Sequence, residues 1–341
     1  MKSRSARLPR SKNKERQKNL MKALQVTAPG TFKIMEIPKP KPGPGQILMR
    51  VEAVATCPQW DLHLRHNEPM FIGHTFSYPY TAGQPGHEAT GDIVEVGPGV
   101  SSVAVGDRVS AWKDQGHQVL GCYAQYVVHQ AEHVIKVPRE LPPEAVVSVE
   151  LAMCIGTVFL MLKEMNGVAG RVVGIAGLGP AGLIAAQMAK AEGAKEVIGF
   201  DLLPERRKSA LEFGLDRVYD PADHPFASRP GKLEIETAVD CVGAKKSVEF
   251  LMDLTEDILA LFGVQREDYT YSPRHYNGLR LCGYKGHSRR SAEYAVDLIR
   301  KGKLNLAPLV THNLPLEAYN RGIELLEKQQ ATKICFWPWR D

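Results

Sequence analysis

The sequence is poor in cysteine and holds no cysteine pair at close spacing. Its 341 residues include six cysteines, none in a CxxC pair, which argues against a disulfide scaffold and leaves the thiols free or as metal ligands. The longest apolar run, residues 146–162, is interrupted by Ser148 and Glu150, so we expect no membrane span. No apolar segment follows the basic N-terminal residues, so we expect no secretory signal and a cytoplasmic protein.

After its first 22 residues, the chain has no excess of positive charge. These residues include nine Lys or Arg and one acidic residue, Glu15, so their net charge is +8. Because the whole chain has a net charge of +5, the remaining residues have a net charge of −3. A mildly acidic body does not indicate a nucleic-acid surface. Residues 1–20 have almost no apolar side chains, and we predict a disordered basic tail. It is either a nonspecific polyanion-binding arm or a segment preceding the real start at Met21, which is favoured because residues 21–26 are typical of a strand.

The region from Met21 to Pro138 is typical of a small β-barrel or sandwich. Short strand-like segments alternate there with turns rich in proline and glycine, of which residues 38–45 are the clearest case. The predicted strands are 23–26, 32–36, 46–55, 92–96, 108–112 and 124–128.

The pattern changes after Pro142 and Pro143 into strands that alternate with helices, which indicates βαβ units and a parallel sheet. The predicted helices are 144–165, 183–192, 205–213, 291–301 and 316–328, and the predicted strands are 171–176, 196–200, 238–240, 258–262 and 333–337. The fold class is therefore α/β plus β. A chain of 341 residues exceeds what one hydrophobic core usually serves, so two domains are expected.

A glycine-rich turn joins the first strand of the alternating part to its helix, and it has the form GxGxxG. Such glycines permit a tight turn and a close approach of the backbone to a pyrophosphate, which the N-terminus of the helix then binds. The residues of this turn are Gly177, Leu178, Gly179, Pro180, Ala181 and Gly182.

The strand after this turn ends at Asp201. A carboxylate there can accept hydrogen bonds from both ribose hydroxyls of NAD, and it repels the 2′-phosphate of NADP. The sequence therefore predicts a dinucleotide site that prefers NAD. Arg206 and Arg207 follow within a few residues and keep NADP open as the alternative, because arginine is how such sites bind the phosphate.

A second motif, GHExxGxxxxxGxxV, covers residues 86–100. Its imidazole, His87, is a candidate metal ligand. With these motifs in this order from Met21 to the C-terminus, the chain resembles the zinc-dependent alcohol dehydrogenases of the medium-chain dehydrogenase/reductase superfamily. The resemblance implies a GroES-like β-barrel catalytic domain over 21–150, a Rossmann NAD-binding domain over 151–295 and a C-terminal return to the catalytic domain over 296–341. It also implies one catalytic zinc between the domains.

The resemblance further implies three zinc ligands from three places in the chain. Cys57 matches the first, since it is followed at the family's approximate spacing by an aspartate and a histidine, and His87 matches the second. The third is either Cys154 or Glu150, four residues apart on one face of a predicted helix. Cys154 is preferred because its surroundings resemble the branch of the family that uses cysteine there. Glu150 stays open because residues 150–154 also resemble the branch that uses a carboxylate.

Other residues receive roles from the resemblance alone. Glu88 is expected beside the metal and Thr157 beside the nicotinamide. Family members carry a serine or threonine that relays the alcohol proton, but here Trp60 stands in that place, and an indole N–H cannot shuttle a proton as a hydroxyl does. We therefore expect His63, which matches the family's relay histidine after a one-residue insertion, to be the general base.

Many family members also carry a structural zinc on four closely spaced cysteines. The corresponding stretch, residues 106–121, contains none, so we expect no structural zinc.

The function that follows is hydride transfer between an alcohol or polyol and NAD, with zinc polarising the oxygen of the alcohol or carbonyl. One alternative is a zinc-free quinone or enoyl reductase of the same fold, although such relatives usually lack the counterparts of Cys57 and His87. Another is a non-catalytic binding protein, which the missing relay hydroxyl supports. The expected partner is a small alcohol or carbonyl compound, without nucleic acid or membrane. The family implies a homodimer or homotetramer.

Overall fold

The computed structural model describes residues 19–229 and 231–340. The predicted tail, residues 1–20, lies outside the described residues except for its last two. The strands are β1 Leu20–Ala28, β2 Thr31–Pro38, β3 Gln46–Ala55, β4 Glu88–Val96, β5 Arg108–Ala111, β6 Tyr126–Gln130, β7 Val134–Lys136, β8 Val172–Ala176, β9 Glu196–Phe200, β10 Arg217–Tyr219, β11 Ile235–Asp240, β12 Thr255–Leu261, β13 Arg280–Gly283, β14 Val310–Pro315 and β15 Lys333–Trp337. The α-helices are α1 Pro58–His66, α2 Val149–Glu164, α3 Pro180–Ala191, α4 Pro204–Ala210, α5 Lys245–Leu254, α6 Arg289–Arg300 and α7 Tyr319–Glu327.

The middle of the chain forms a six-stranded parallel sheet in the order β10-β9-β8-β11-β12-β13. Numbered from its first strand, this is the order 3-2-1-4-5-6 of a dinucleotide-binding Rossmann fold. The strand order reverses between β8 and β11, and ligands of such sheets bind at the carboxyl ends of the strands beside that reversal. The glycine turn at the end of β8 therefore lies where the sequence analysis expects the cofactor.

The rest of the chain forms a seven-stranded mixed sheet in the order β14-β15-β3-β4-β5-β7, with β6 also paired to β3, and a β1–β2 hairpin. The C-terminal strand β15 returns to this sheet and pairs with the end of β3, where Cys335 lies opposite Ala55. Residues from both ends of the chain thereby meet beside Cys57.

Helix α2 connects the two halves. It contacts α3 and α6 on the side of the parallel sheet and β4 and β5 on the other. Because it is covered from both sides, its residues are apolar nearly all round, as in a buried helix. The polar exception within its first turns is Glu150, which is buried.

The same helix explains one composition signal. The segment Pro143–Glu164 is long and apolar enough to cross a membrane by length and composition, but 78% of its most apolar part is buried inside the protein. Packing against both sheets accounts for this apolar character, so the segment is weak evidence for a membrane span.

Most predicted elements are present with shifted ends, and some were missed. Helix α1 was missed because Trp60, Leu62 and Leu64 alternate at the spacing of a strand rather than of a helix. Strands β7 and β10 were missed because three residues are too few to show a period. The helix predicted from residue 144 begins at Val149, since Pro143–Ala145 forms a separate 3₁₀ turn.

Candidate active site

Cys57 and His87 are brought together by paired strands. Cys57 follows β3 and is the N-cap residue of α1, while His87 immediately precedes β4. Strands β3 and β4 are antiparallel, with Ala55 opposite Glu88. The Nδ1–H of His87 donates to the carbonyl oxygen of Pro85 at 2.8 Å, which leaves Nε2 as the nitrogen with a free electron pair, the state that a metal ligand needs.

Glu150 reaches this pair from α2. Its Oε1 accepts hydrogen bonds from His287 Nε2 at 2.7 Å and from the Cys154 thiol at 3.3 Å. Its Oε2 lies 3.8 Å from His87 Nε2. One carboxylate oxygen is thus satisfied by two donors, and the other faces the imidazole.

The pKa values of His87, Cys154 and Glu150 are shifted by burial and by the charged groups close to them. Burial lowers the pKa of His87, but Cys57 and the Glu150 carboxylate outweigh it and raise the pKa well above its ordinary value. Without a metal ion Nε2 therefore attracts a proton, and a metal ion would compete with that proton for the same electron pair. Burial and the neighbouring Glu150 raise the pKa of Cys154 well above its ordinary value, so this thiol keeps its proton. Burial alone would raise the pKa of Glu150, but hydrogen bonding from His287 and the nearby His87 lower it.

These residues fit a zinc ion. Ligand atoms of Cys57, His87 and Glu88 lie within 4.8 Å of one another, and so do those of Glu150, Cys154 and His287. Zinc takes sulfur, imidazole nitrogen and carboxylate oxygen at about 2.0–2.3 Å. Cys57 and His87 thus offer sulfur and nitrogen close together, and Glu150 Oε2 lies 3.8 Å from His87 Nε2, which is a donor set suited to a cation.

Glu88 has a partner that the sequence analysis missed. Both of its carboxylate oxygens lie 2.6 Å from Lys333 Nζ, and both side chains are buried. Lys333 also donates to the carbonyl oxygen of Thr56 at 2.7 Å. The ion pair therefore ties the residues before Cys57 and after His87 to the C-terminal strand, and it directs Glu88 toward Lys333.

Asp61 supports Cys57 from within α1. Its carboxylate accepts hydrogen bonds from the Cys57 backbone N–H at 2.9 Å, from the Tyr123 hydroxyl at 2.9 Å and from the Tyr319 hydroxyl at 2.8 Å. Burial raises the pKa of Asp61 to about 6 in spite of these donors. The three hydrogen bonds fix the turn that presents Cys57.

Trp60, at the place of the missing relay hydroxyl, is the centre of an aromatic cluster. His117 lies against its ring at a centroid distance of 3.9 Å, and Phe71 and His74 meet it edge-on at 5.9 and 5.6 Å. His117 Nε2 also lies 3.3 Å from the carboxylate of Asp114. Within the described residues, both ring nitrogens of His117 are buried without a hydrogen bond.

The residues of the predicted cofactor site lie together at the end of β8. Gly177 has a φ of +83°, which L side chains rarely adopt, and a Cβ on Gly182 would lie 1.9 Å from the carbonyl oxygen of Gly177. Both positions therefore require glycine. Pro180 begins α3 after the N-cap Gly179, so the unpaired N–H groups of the helix point toward the turn.

Asp201 and Arg206 lie beside this turn. The carboxylate of Asp201 accepts hydrogen bonds from the backbone N–H groups of Leu178 at 2.8 Å and Leu203 at 2.9 Å. Arg206 Nη1 lies 3.7 Å from Asp201 Oδ2. Asp201, which is expected to favour NAD, therefore contacts Arg206, which is expected to favour NADP.

The other two predicted site residues are held by neighbours. The Thr157 hydroxyl lies 2.9 Å from Ser291 Oγ and 3.2 Å from the carbonyl oxygens of Met153 and Gly286. His63 donates from Nδ1 to the carbonyl oxygen of Glu68 at 3.2 Å. It accepts at Nε2 from Arg266 at 3.3 Å.

Two protein families match the chain in the order that the geometry indicates. The alcohol dehydrogenase GroES-like domain matches residues 43–139, and the zinc-binding dehydrogenase family matches residues 180–300. An L-threonine 3-dehydrogenase of Thermococcus kodakarensis is 30% identical over 93% of this chain and 98% of its own length. The chain belongs to the zinc-dependent alcohol dehydrogenases. It is therefore an enzyme of the medium-chain dehydrogenase/reductase superfamily, with the GroES-like and Rossmann folds that the sequence predicted.

Two further similarities bear on this dehydrogenase. A sorbitol dehydrogenase of Halalkalibacterium halodurans is 27% identical over 93% of the chain and 99% of its own length. A zinc-binding dehydrogenase of Sinorhizobium meliloti, whose structure has NADP bound, shares the fold with a TM-score of 0.79 at 24% identity, over 94% of this chain and 99% of that one. Both proteins are named as dehydrogenases, and each is similar to this chain over nearly its whole length.

Three residues of this dehydrogenase's site were missed from its sequence. Lys333 could have been noticed as a lysine at the start of an apolar strand. Asp61 was noted only as part of the spacing after Cys57. His287 gave no signal, because it lies 137 positions from Glu150 in a polar loop.

Proposed function

We propose that this dehydrogenase oxidises an alcohol to a carbonyl compound with a single zinc ion and NAD. The observation that carries the proposal is the place of buried His87, whose ligand atom lies within 4.8 Å of that of Cys57 and whose Nε2 lies 3.8 Å from Oε2 of buried Glu150. Zinc bound there acts as a Lewis acid toward the alcohol or carbonyl oxygen. The protein supplies position and proton transfer, and the hydride chemistry belongs to the cofactor.

We infer that the third zinc ligand is Glu150 rather than Cys154, the residue preferred from the sequence. The Cys154 thiol donates a hydrogen bond to Glu150 Oε1, and burial beside a carboxylate raises its pKa, so it does not readily form the thiolate that zinc binds. Glu150 Oε2, in contrast, faces His87 Nε2 at 3.8 Å. His287 and Cys154 then orient the ligand carboxylate through its other oxygen, as residues beyond the ligands commonly do.

We propose NAD as the cofactor and keep NADP as the alternative. The Asp201 carboxylate accepts from the Leu178 backbone N–H within the turn 177–182, and a carboxylate at this place favours ribose hydroxyls over a phosphate. Arg206, 3.7 Å away, is the group that could accept the phosphate. The place of Thr157 on α2, close to the loop after β13, supports a position beside the nicotinamide.

We propose His63 as the proton acceptor. Its Nδ1 carries a hydrogen, since it donates to the Glu68 carbonyl, so Nε2 is the basic nitrogen. Arg266 holds that nitrogen in this structure, and proton uptake requires that contact to loosen. From the family alone, we also propose a homodimer or homotetramer and a cytoplasmic location.

The test is a dehydrogenation screen of the purified protein at known zinc content. L-Threonine, sorbitol, 2,3-butanediol and 3-hydroxybutyrate are each offered with NAD and NADP, and reduced cofactor is followed at 340 nm. We expect turnover of at least one substrate with NAD that disappears after chelation and returns with zinc. The proposal fails if no alcohol is oxidised, or if the chelated protein keeps its full activity.

A further inference from the structure

Arg266 connects the two halves of the molecule through hydrogen bonds. It follows β12 in the parallel-sheet half, and its side chain reaches the segment 59–70 of the other half. Its Nε donates to the carbonyl oxygen of Met70 at 3.1 Å, and its Nη2 donates to Gln59 Oε1 at 3.0 Å and to His63 Nε2 at 3.3 Å. Three hydrogen bonds thus hold the guanidinium in one place.

None of the three acceptors is a carboxylate. Among the described residues, these are the polar partners of Arg266, although two acids, Glu267 and Asp268, follow it in the sequence. The nearer of these, Glu267, faces the other way, since its carboxylate accepts from the Lys245 backbone N–H at 3.3 Å. The partly exposed guanidinium therefore lacks an anionic partner, although arginine binds most strongly to a carboxylate or phosphate.

One amino group of Arg266 is available. Nε and Nη2 make the three hydrogen bonds, whereas Nη1 makes none with any described residue. It is also absent from the buried polar atoms that lack a partner, so it is open to solvent. The side chain is therefore held by its neighbours while two N–H groups point outward, as a preorganised anion site requires.

The position of this amino group relates it to the reacting centre. Gln59 and His63 lie four residues apart on one face of α1, and Cys57 is the N-cap residue of the same helix. A substrate whose alcohol proton passes to His63 therefore lies near Arg266, which contacts His63 directly. The relatives differ in this respect, since L-threonine carries a carboxylate and sorbitol carries no charge.

We propose that Arg266 binds an anionic group of the substrate, a carboxylate or a phosphate, and so selects hydroxy compounds that carry one. The inference rests on the proposed function, because it presumes that an alcohol is the substrate. The anion draws Nη2 away from His63 or adds to Nη1, and in the first case it frees the basic nitrogen of His63 when substrate arrives.

The test compares matched substrates that differ in one charge. L-Threonine is paired with its methyl ester and sorbitol 6-phosphate with sorbitol, in wild type, Arg266→Lys and Arg266→Gln. Arg300→Gln is the control, because Arg300 is exposed and its hydrogen bond is to the Lys136 carbonyl.

We expect wild type to prefer the anionic member of at least one pair. Arg266→Gln should lower kcat/KM for that member by about 10- to 100-fold, mainly through KM, as loss of a charged hydrogen bond does. Because loss of the Arg266–His63 contact acts on both members alike, the readout is the ratio of kcat/KM for the anionic member to kcat/KM for the neutral member. Arg266→Gln should lower this ratio, and Arg266→Lys should restore part of it, since it keeps the charge.

Four results overturn the inference while the proposed function stands. In the first, wild type oxidises the neutral member of each pair as well as the anionic one. In the second, Arg266→Gln lowers kcat/KM for both members of a pair equally, which indicates that Arg266 only holds the two halves of the molecule together. In the third, only the KM for the cofactor rises, which assigns the anion to the pyrophosphate. In the fourth, wild type prefers an anionic member but Arg266→Gln keeps that preference.

If no compound is oxidised, the proposed function fails, and calorimetric titration of inorganic phosphate into both proteins decides the inference. Binding by wild type alone supports it, and equal binding or none overturns it.

Discussion

Lys333 Nζ lies 2.6 Å from both carboxylate oxygens of Glu88, and both side chains are buried. The pair joins β4 to the last strand of the chain, so the C-terminus takes part in holding the candidate zinc site. Loss of one partner from a buried ion pair leaves an uncompensated charge, which costs about 3–5 kcal/mol, whereas removal of both is much milder.

Lys333→Met should therefore lower the free energy of unfolding by about 3–5 kcal/mol, and Lys333→Met with Glu88→Gln should recover most of that loss. Urea denaturation measures both. Lys328→Met, at an exposed lysine, is the control and should change little. An Lys333→Met protein as stable as wild type would show that the pair contributes nothing.

His129 should make the protein less stable in mild acid. Burial lowers the pKa of His129 to about 4, below the ordinary value of about 6.5 that applies in the unfolded chain. Between these values the unfolded state binds a proton that the folded state does not, so stability falls as the pH falls from 6.5 to 4.

We expect His129→Gln to remove about 2 kcal/mol of the stability that wild type loses between pH 7 and pH 5. Urea unfolding at pH 7, 6 and 5 gives the slopes. His312→Gln, at a half-buried histidine, is the control for the loss of an imidazole. Parallel slopes for wild type and His129→Gln would contradict the assignment.

Asp201 should decide the cofactor. Wild type is expected to have a higher kcat/KM with NAD than with NADP, because the carboxylate repels the 2′-phosphate. Asp201→Asn removes the charge and keeps an oxygen for the Leu178 N–H, so the NADP/NAD ratio of kcat/KM should rise by about tenfold or more, or about 1.4 kcal/mol. Arg206→Ala should reduce NADP use alone. A higher kcat/KM of wild type with NADP than with NAD would contradict the prediction.

His63 should influence turnover through its basic nitrogen. Loss of a general base usually lowers rates by about 10²-fold or more, so His63→Gln should lower kcat by that factor. His66→Gln, on the same helix and paired with Glu327, should leave kcat unchanged. If His63→Gln keeps the wild-type kcat, the proton leaves by another path.

The fold was predictable where local chemistry determines it. Gly177 and Gly182 are required by a positive φ and by a backbone contact within the same turn, and the strand and helix around them show their own periods. The strands β9, β3 and β15 were predicted with their observed bounds. Short edge strands and α1 were missed because their few apolar residues carry no helical or strand period distinct enough to read.

The site was predictable as a set of residue types but not as an arrangement. Glu150 and Cys154 share a helical face, so sequence spacing could not separate them. They differ through His287, which satisfies Glu150 Oε1 from 137 residues away and leaves Oε2 for His87. Lys333 meets Glu88 across 245 residues. Such contacts follow from tertiary packing, which no local pattern encodes.

The most direct test of the zinc site is the zinc content of purified wild type, Glu150→Gln and Cys154→Ser, measured by plasma mass spectrometry after dialysis. We expect about one zinc per chain in wild type and in Cys154→Ser, consistent with three protein ligands and one open position. Glu150→Gln should retain only a small fraction, with circular dichroism showing that the fold is kept. Full zinc in Glu150→Gln, or loss of zinc in Cys154→Ser alone, would contradict the assignment of Cys57, His87 and Glu150 as the ligands.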